Sequence, residues 1–271
     1  MLKLFVSIDL VGSTKFKANP PSSFPPSFSP KGYSPISSPD NWVEWYKHIL
    51  LMLIELPNSH LLDYTVWKIQ GDEVIYSIDI QNKESLIKTL STFYRSLGFV
   101  SSFVRPMSQN SLDVKAAAWV AFIDEQHNVT IRNNPMEYVG ISFDEGFRVA
   151  GAFAKKKMLA VTFELAQIVS TEKPQFIHLL KFERLKGVWN DRGYPVLWYS
   201  ENSSNEMYGW DYDAELDSDL YSCFKKKVQL DSSGGVSGIE PQKQIMIKIE
   251  NSLSGRAKSH WDLIKAKLGI S

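Results

Sequence analysis

The chain has a single cysteine, Cys223, in 271 residues, which excludes an internal disulfide and any multi-thiolate metal site. Its five histidines (His48, His60, His127, His178 and His260) are scattered without the His-x-x-x-His spacing of a helix-borne zinc site. Neither sign of charge is in excess. Thirty Lys and Arg balance thirty Asp and Glu, which removes the basic surplus of a simple nucleic-acid binder. The apolar run at 49–56 is interrupted by Glu55, and no run approaches the roughly 20 residues of a membrane span. The opening Met1-Leu2-Lys3-Leu4-Phe5-Val6-Ser7-Ile8-Asp9 turns acidic too soon for a signal peptide. These absences predict a cytoplasmic protein in a reducing setting, with neither nucleic acid nor membrane as a partner. A Gly-x-x-x-x-Gly-Lys-Ser/Thr loop is also missing, which excludes a standard P-loop ATPase.

What is present is core-forming material: 44% of residues are hydrophobic and 13% aromatic, too much for a disordered chain. The length suits one large domain with an appendage. Residues 2–9 read as a buried strand broken by Val11-Gly12-Ser13-Thr14. Residues 18–40 hold seven prolines and read as a long irregular loop. Asp40 can cap a helix over 41–55 that Pro57 stops. Segments 61–69 and 74–80 form a hairpin around Gly71-Asp72, followed by an amphipathic helix over 82–97 and a strand over 114–123. Helices over 144–153 and 162–170 precede strands at 176–185 and 194–199. The order β-α-β-β-α-β-α-α-β-β predicts an α+β sandwich rather than a doubly wound sheet. After residue 200 come an acidic stretch, Lys225-Lys226-Lys227, a Ser/Gly linker at 232–238 and two helices at 240–253 and 257–268. A core domain at 1–200 and a C-terminal appendage at 201–271, partly flexible, are expected.

Two acidic turns could carry chemistry. In the first, Asp9 ends an apolar strand and Gly12-Ser13-Thr14 follows, a turn whose free N–H groups can cradle phosphate oxygens. In the second, Trp67-Lys68-Ile69-Gln70-Gly71-Asp72-Glu73-Val74, Asp72 stands at a hairpin tip. Antiparallel pairing would bring Asp9 and Asp72 to one sheet edge, where their repulsion invites a divalent cation. Oxygen ligands shared with substrate phosphates suit Mg²⁺ or Mn²⁺. Taken singly, each Asp is equally well read as a turn or strand-end residue.

Taken together, these segments resemble the catalytic domain of class III nucleotide cyclases. The matching residues are Phe5-Val6-Ser7-Ile8-Asp9-Leu10-Val11-Gly12-Ser13-Thr14, Lys68-Ile69-Gln70-Gly71-Asp72, Gly140-Ile141-Ser142-Phe143-Asp144-Glu145-Gly146-Phe147-Arg148 and Leu185-Lys186-Gly187-Val188. They span 1–200 in the family's order. The resemblance implies a cyclase fold with a ferredoxin-like βαββαβ core. It implies Asp9 and Asp72, with the Leu10 carbonyl, as ligands of two Mn²⁺ or Mg²⁺ ions per site. Residues Val11, Gly12, Ser13 and Thr14 would hold phosphates, and Arg148 would meet the triphosphate in the transition state. The ribose-orienting position, usually Asn, is Asp144 here. The base-reading positions are Lys68 and Glu137, not a standard adenine or guanine pair. The Trp-Lys-x-x-Gly-Asp-Glu wording and Gly-Phe-Arg resemble the Pycsar pyrimidine cyclases, bacterial antiphage enzymes that make cyclic UMP or cyclic CMP. Lys68 can donate to uracil O4 while Glu137 accepts from N3–H, so UTP is favoured over CTP. The family's active sites are composite, which implies a head-to-tail homodimer. Two rivals stand beside this reading. Gln70-Gly71-Asp72-Glu73-Val74 also resembles the GGDEF motif of diguanylate cyclases, though Gln and Val depart from it. A non-catalytic nucleotide-binding module is the other, but such modules usually lose a metal Asp or the Arg.

Overall fold

The computed structural model describes residues 1–19, 42–55, 64–124, 128–129, 137–154, 156–189, 193–201 and 239–270. In chain order these form β1 (Leu2–Val11), α1 (Ser13–Ala18), α2 (Trp42–Glu55), β2 (Thr65–Gln70), β3 (Glu73–Asp79), α3 (Lys83–Met107) and β4 (Asp113–Phe122). Then come β5 (Asn128–Val129), β6 (Glu137–Tyr138), α4 (Ile141–Phe153), β7 (Leu159–Val161), α5 (Phe163–Ser170), β8 (Ile177–Arg184) and β9 (Gly193–Tyr199). The helices α6 (Ile239–Ser252) and α7 (Gly255–Leu268) close the chain. The loop at 20–41, including Asp40, lies outside the described residues, as do Pro57, Cys223, Lys225 to Lys227 and the linker at 232–238.

Seven strands make one mixed sheet in the order β2-β3-β1-β4-β7-β9-β8, while β5 and β6 pair separately. Every pair in the large sheet is antiparallel except β4 with β7. This is the expected α+β class. β1 lies inside the sheet, paired with β3 on one edge and β4 on the other. Leu2, Leu4, Val6, Ile8 and Leu10 face one layer, while Phe5, Ser7 and Asp9 face the other, as strand periodicity requires.

The first layer holds the main core. α3 covers it with Leu86, Leu90, Phe93, Leu97, Val100 and Val104. The helix starts at a capping box in which the Asn82 side chain accepts from the Ser85 N–H at 2.8 Å, worth about 1 kcal/mol. It runs ten residues past the expected end at Leu97, because the apolar stripe continues through Val104, and it ends beyond Pro106 where Gln109 and Asn110 take positive φ. The second layer is aromatic: Phe5, Trp67 and Trp119 pack with Phe143, and Tyr138 and Phe147 lie against them. α4 lies over this face. Gly146 is required there, since a Cβ at this position would overlap the Trp119 indole.

α6 and α7, the two helices expected at the C-terminal end, pack on the main core through Met246, Ile249, Leu253, Trp261 and Ile264. The Glu250 carboxylate accepts from Gln167 Nε2 (2.7 Å), Trp261 Nε1 (2.8 Å) and Lys265 Nζ (3.0 Å). Burial works against that charge, but the three donors outweigh it and hold Glu250 below the ordinary carboxylate range. Among the described residues no helix is long and apolar enough to cross a membrane.

Candidate active site

The second face of the sheet gathers the polar residues. Asp9 stands opposite Glu73 on β3 and opposite Lys115 on β4, so Glu73, Asp9 and Lys115 form one row across three strands. Lys115 Nζ pairs with Asp9 Oδ2 at 3.0 Å, and Ser7 Oγ donates to Glu73 Oε1 at 2.5 Å. Glu73 is raised above its ordinary value by burial first. The Ser7 hydrogen bond opposes this, and the charges of Asp9 and Asp72 add to it. A cavity of about 120 Å³ opens here, lined by Ser7, Asp9, Glu73, Lys115 and, from α4, Phe147 and Gly151.

Asp72 occupies the β2–β3 turn beside this row. The two expected metal carboxylates are brought to one place, because a single buried group feels both. Tyr46 on α2 has its phenol pushed up by burial and then by the charges of Asp72 and Asp9, against a hydrogen bond from Ser13. Sequence reasoning missed Tyr46, Glu73, Ser7 and Lys115. The strand register, once known, finds the last three, whereas Tyr46 reads only as part of an apolar helical stripe.

The turn after β1 has the form expected. Leu10 and Val11 extend past the last β1–β3 pair and bond only along β4. Gly12 takes φ 90°, and a Cβ there would overlap the Ser111 carbonyl, so glycine is obligatory. The first intrahelical bond of α1 runs from Phe16 N–H to the Gly12 carbonyl at 2.9 Å. The N–H groups of Ser13 and Thr14 therefore have no intrahelical acceptor.

Lys68 and Glu137 are brought together: Lys68 Nζ lies 2.9 Å from Glu137 Oε1. Two irregular features do this. A bulge between Val66 and Lys68 leaves Trp67 as the extra residue of β2, and a bulge re-aims consecutive side chains. The two-residue β5–β6 ribbon, too short to show a period, carries Glu137. Trp67 itself is buried in the aromatic cluster, edge-on to Phe5 at 5.2 Å and beside Tyr138 at 5.2 Å. It is a wall of the Lys68–Glu137 region and not an open stacking platform.

Asp144 and Arg148 are exposed and one turn apart on α4, on the same side of the helix. Neither lines the cavity at Asp9. Arg148 Nη2 lies beside Gly187, 3.6 Å from where a Cβ would stand, in the turn that follows β8. Of the lysines at 155–157, Lys156 is committed to Asp113 at 3.6 Å. Lys155 lies outside the described residues.

The donor set fits a divalent cation bound by carboxylates. Asp9, Asp72 and Glu73 bring three acidic groups near Lys115, and the charges of the first two raise the third. No group of three or more His, Cys, Asp or Glu arranged to hold a metal is found among the described residues.

No protein-family model and no curated protein matches the chain. Solved structures do. The adenylyl cyclase CyaB from P. aeruginosa superposes with a TM-score of 0.51 at 11% identity, covering 75% of this chain and 95% of that one. The guanylate cyclase domain of RhGC from Catenaria anguillulae, in complex with GTP, gives 0.50 at 9% identity, covering 73% and 96%. The catalytic core of a rhodopsin-guanylyl cyclase with converted specificity, in complex with ATPαS, gives 0.50 at 9%, covering 73% and 95%. The fold is thus that of class III nucleotide cyclase catalytic domains. At these identities the likeness is one of fold.

Proposed function

We propose that this chain is a pyrimidine nucleotide cyclase converting UTP to 3′,5′-cyclic UMP and diphosphate, in the manner of the antiphage enzymes its motifs resemble. The observation that carries the reading is the Lys68–Glu137 pair at 2.9 Å, on the sheet face that bears Asp9. A cation beside a carboxylate matches the uracil edge, where O4 accepts next to the N3–H donor. Cytosine reverses that order, and its N4–H₂ and N3 leave Lys68 and Glu137 poorly matched. Guanine offers the same acceptor–donor order as uracil, so size decides between them. Trp67, Tyr138 and Phe143 crowd the space beside the pair and favour the smaller ring. An unmatched polar group in a desolvated pocket discriminates strongly.

Asp9, Asp72 and the Leu10 carbonyl would hold two Mn²⁺ or Mg²⁺ ions. When bound, such ions supply Lewis-acid activation of the ribose 3′-hydroxyl and neutralise the triphosphate. The N–H groups of the turn at residues 11–14 bind phosphate oxygens and hold the nucleotide in register. Asp144 orients the ribose and accepts the 3′ proton as that oxygen bonds to the α-phosphorus. The bond from the α-phosphorus to the bridging oxygen breaks, and diphosphate departs. Arg148 places positive charge where it accumulates in the transition state, which accelerates the step rather than tightening substrate binding.

The place of Arg148, beside Gly187 and not in the lining of the Asp9 cavity, supports a composite site. One protomer would give Asp9, Asp72, Lys68 and Glu137, and its partner Asp144 and Arg148, in a head-to-tail homodimer with two sites. The deciding experiment incubates the purified chain with Mn²⁺ and each of the four ribonucleotides, and identifies products by mass. Cyclic UMP as the main product supports the reading, and cyclic CMP moves it to the cytidylate enzyme. A cyclic purine or dinucleotide product, or binding without turnover, overturns it.

A further inference from the structure

α4 carries a second set of ionisable groups, hidden from the site. Glu145 stands between Asp144 and Gly146, only 4% exposed. Its Oε1 accepts from Tyr194 Oη of β9 at 2.5 Å, and the same Tyr194 oxygen accepts from the Phe163 N–H of α5 at 2.9 Å. Glu164, also 4% exposed, bonds the Glu145 carboxyl from the first turn of α5. Two carboxyls are therefore in contact inside the protein with one phenol. Among the described residues no cation bears on Glu145. β7 offers only Leu159, Ala160 and Val161, and β4 presents Trp119 to the neighbouring Gly146.

We propose that Glu145 is a positioning residue, fixing the rotation of α4 and so the aim of Arg148 through a chain that runs Phe163 N–H, Tyr194, Glu145, Glu164. This rests on the reading of Arg148 given above. Two touching buried carboxylates without a cation cannot both be ionised. Burial, and then the neighbouring Glu164, raise Glu145 well above its ordinary value of 4.5, so Glu145 is the group that keeps its proton. Arg148 follows Glu145 by three residues, so a twist that releases one re-aims the other. The three residues between Asp144 and Arg148 are each held: Glu145 by this chain, Gly146 by Trp119, and Phe147 against Trp67 and Trp119.

Glu145→Gln keeps a neutral donor to Glu164 and an acceptor for Tyr194, and is the variant that tests the idea without emptying the core. On the full chain, infrared spectra at neutral pH should show a protonated-carboxyl C=O band that Glu145→Gln removes. Across about pH 5–9, wild-type kcat should fall at the alkaline end as Glu145 ionises, with KM for the nucleotide little changed. Glu145→Gln should keep low-pH kcat within about threefold and lose that alkaline fall, while Glu145→Ala should lose roughly 10–100-fold in kcat. Absence of the band, or an unaltered alkaline fall in Glu145→Gln, overturns the proposal. An Arg148→Ala protein with wild-type turnover would instead overturn the reading of Arg148. The two failures are told apart because the infrared band does not depend on Arg148.

Discussion

The two faces of β1 are built from one ten-residue strand and obey opposite rules. On one side Leu4, Val6 and Ile8 disappear into an apolar layer. On the other, Asp9 stands in a row with Glu73 and Lys115, and Ser7 lies between that row and the packed Phe5. The first face gains stability from each residue. The second holds like charges together, with Glu73 raised by burial and by its acidic neighbours, an arrangement that costs stability. Substitutions on the two faces should therefore separate activity from folding.

The largest effect should come from Asp72→Ala. Turnover should fall at least about 10³-fold, roughly 4 kcal/mol of barrier. The melting temperature should hold or rise, because a turn-tip carboxylate leaves a crowded acidic set. Product formation followed by mass alongside a thermal melt checks both. Wild-type turnover in this variant would erase the contrast between the faces.

On the opposite face Leu90→Ala should do the reverse. Loss of a fully buried leucine costs about 2–5 kcal/mol of stability, read by denaturant unfolding, while turnover per folded molecule stays close to wild type. Gly146→Ala joins the two behaviours, since its new methyl group meets Trp119 beneath the helix that carries Arg148. About 1–3 kcal/mol of stability should be lost by overpacking, and kcat should fall with it.

Stability against pH separates hidden carboxyls from exposed ones. Glu145 has a folded value raised above 4.5, so the native state binds the extra proton. Its contribution is complete below 4.5 and is lost as pH rises towards the folded value, at about 1.4 kcal/mol per pH unit. Glu145→Gln should flatten that part of the stability profile. The smallest effect on folding should come from Lys68→Ala. Its pair with Glu137 is nearly a third exposed on both sides, so stability should change by less than about 1 kcal/mol while nucleotide preference shifts measurably.

How far the sequence foretold this depends on the kind of signal. Strands and helices with clean periodicity, such as β1, β3, α3 and α4, were legible from residue pattern, as was the turn that places Asp72. The meeting of Lys68 with Glu137 was legible only through family resemblance, because a bulge and a two-residue ribbon make it and neither has a period. β7 is three residues long and α1 six, too short to stand out. Glu73 and Lys115 gained meaning only from the register with Asp9, a long-range fact. Glu145 was quoted as part of a motif, but nothing local shows that it is buried against Glu164.

The position of α6 and α7 bears on the order of events during synthesis. Trp261 and Ile264 complete a core whose other walls are in place by Tyr199. A ribosome adding about 5–20 residues per second needs roughly 3–13 s to travel from residue 201 to residue 264. For that interval the nascent sheet carries an uncovered apolar face over α5, and Gln167 waits for Glu250. A truncated or stalled product would keep that face open, and so would be a target for chaperones and proteases.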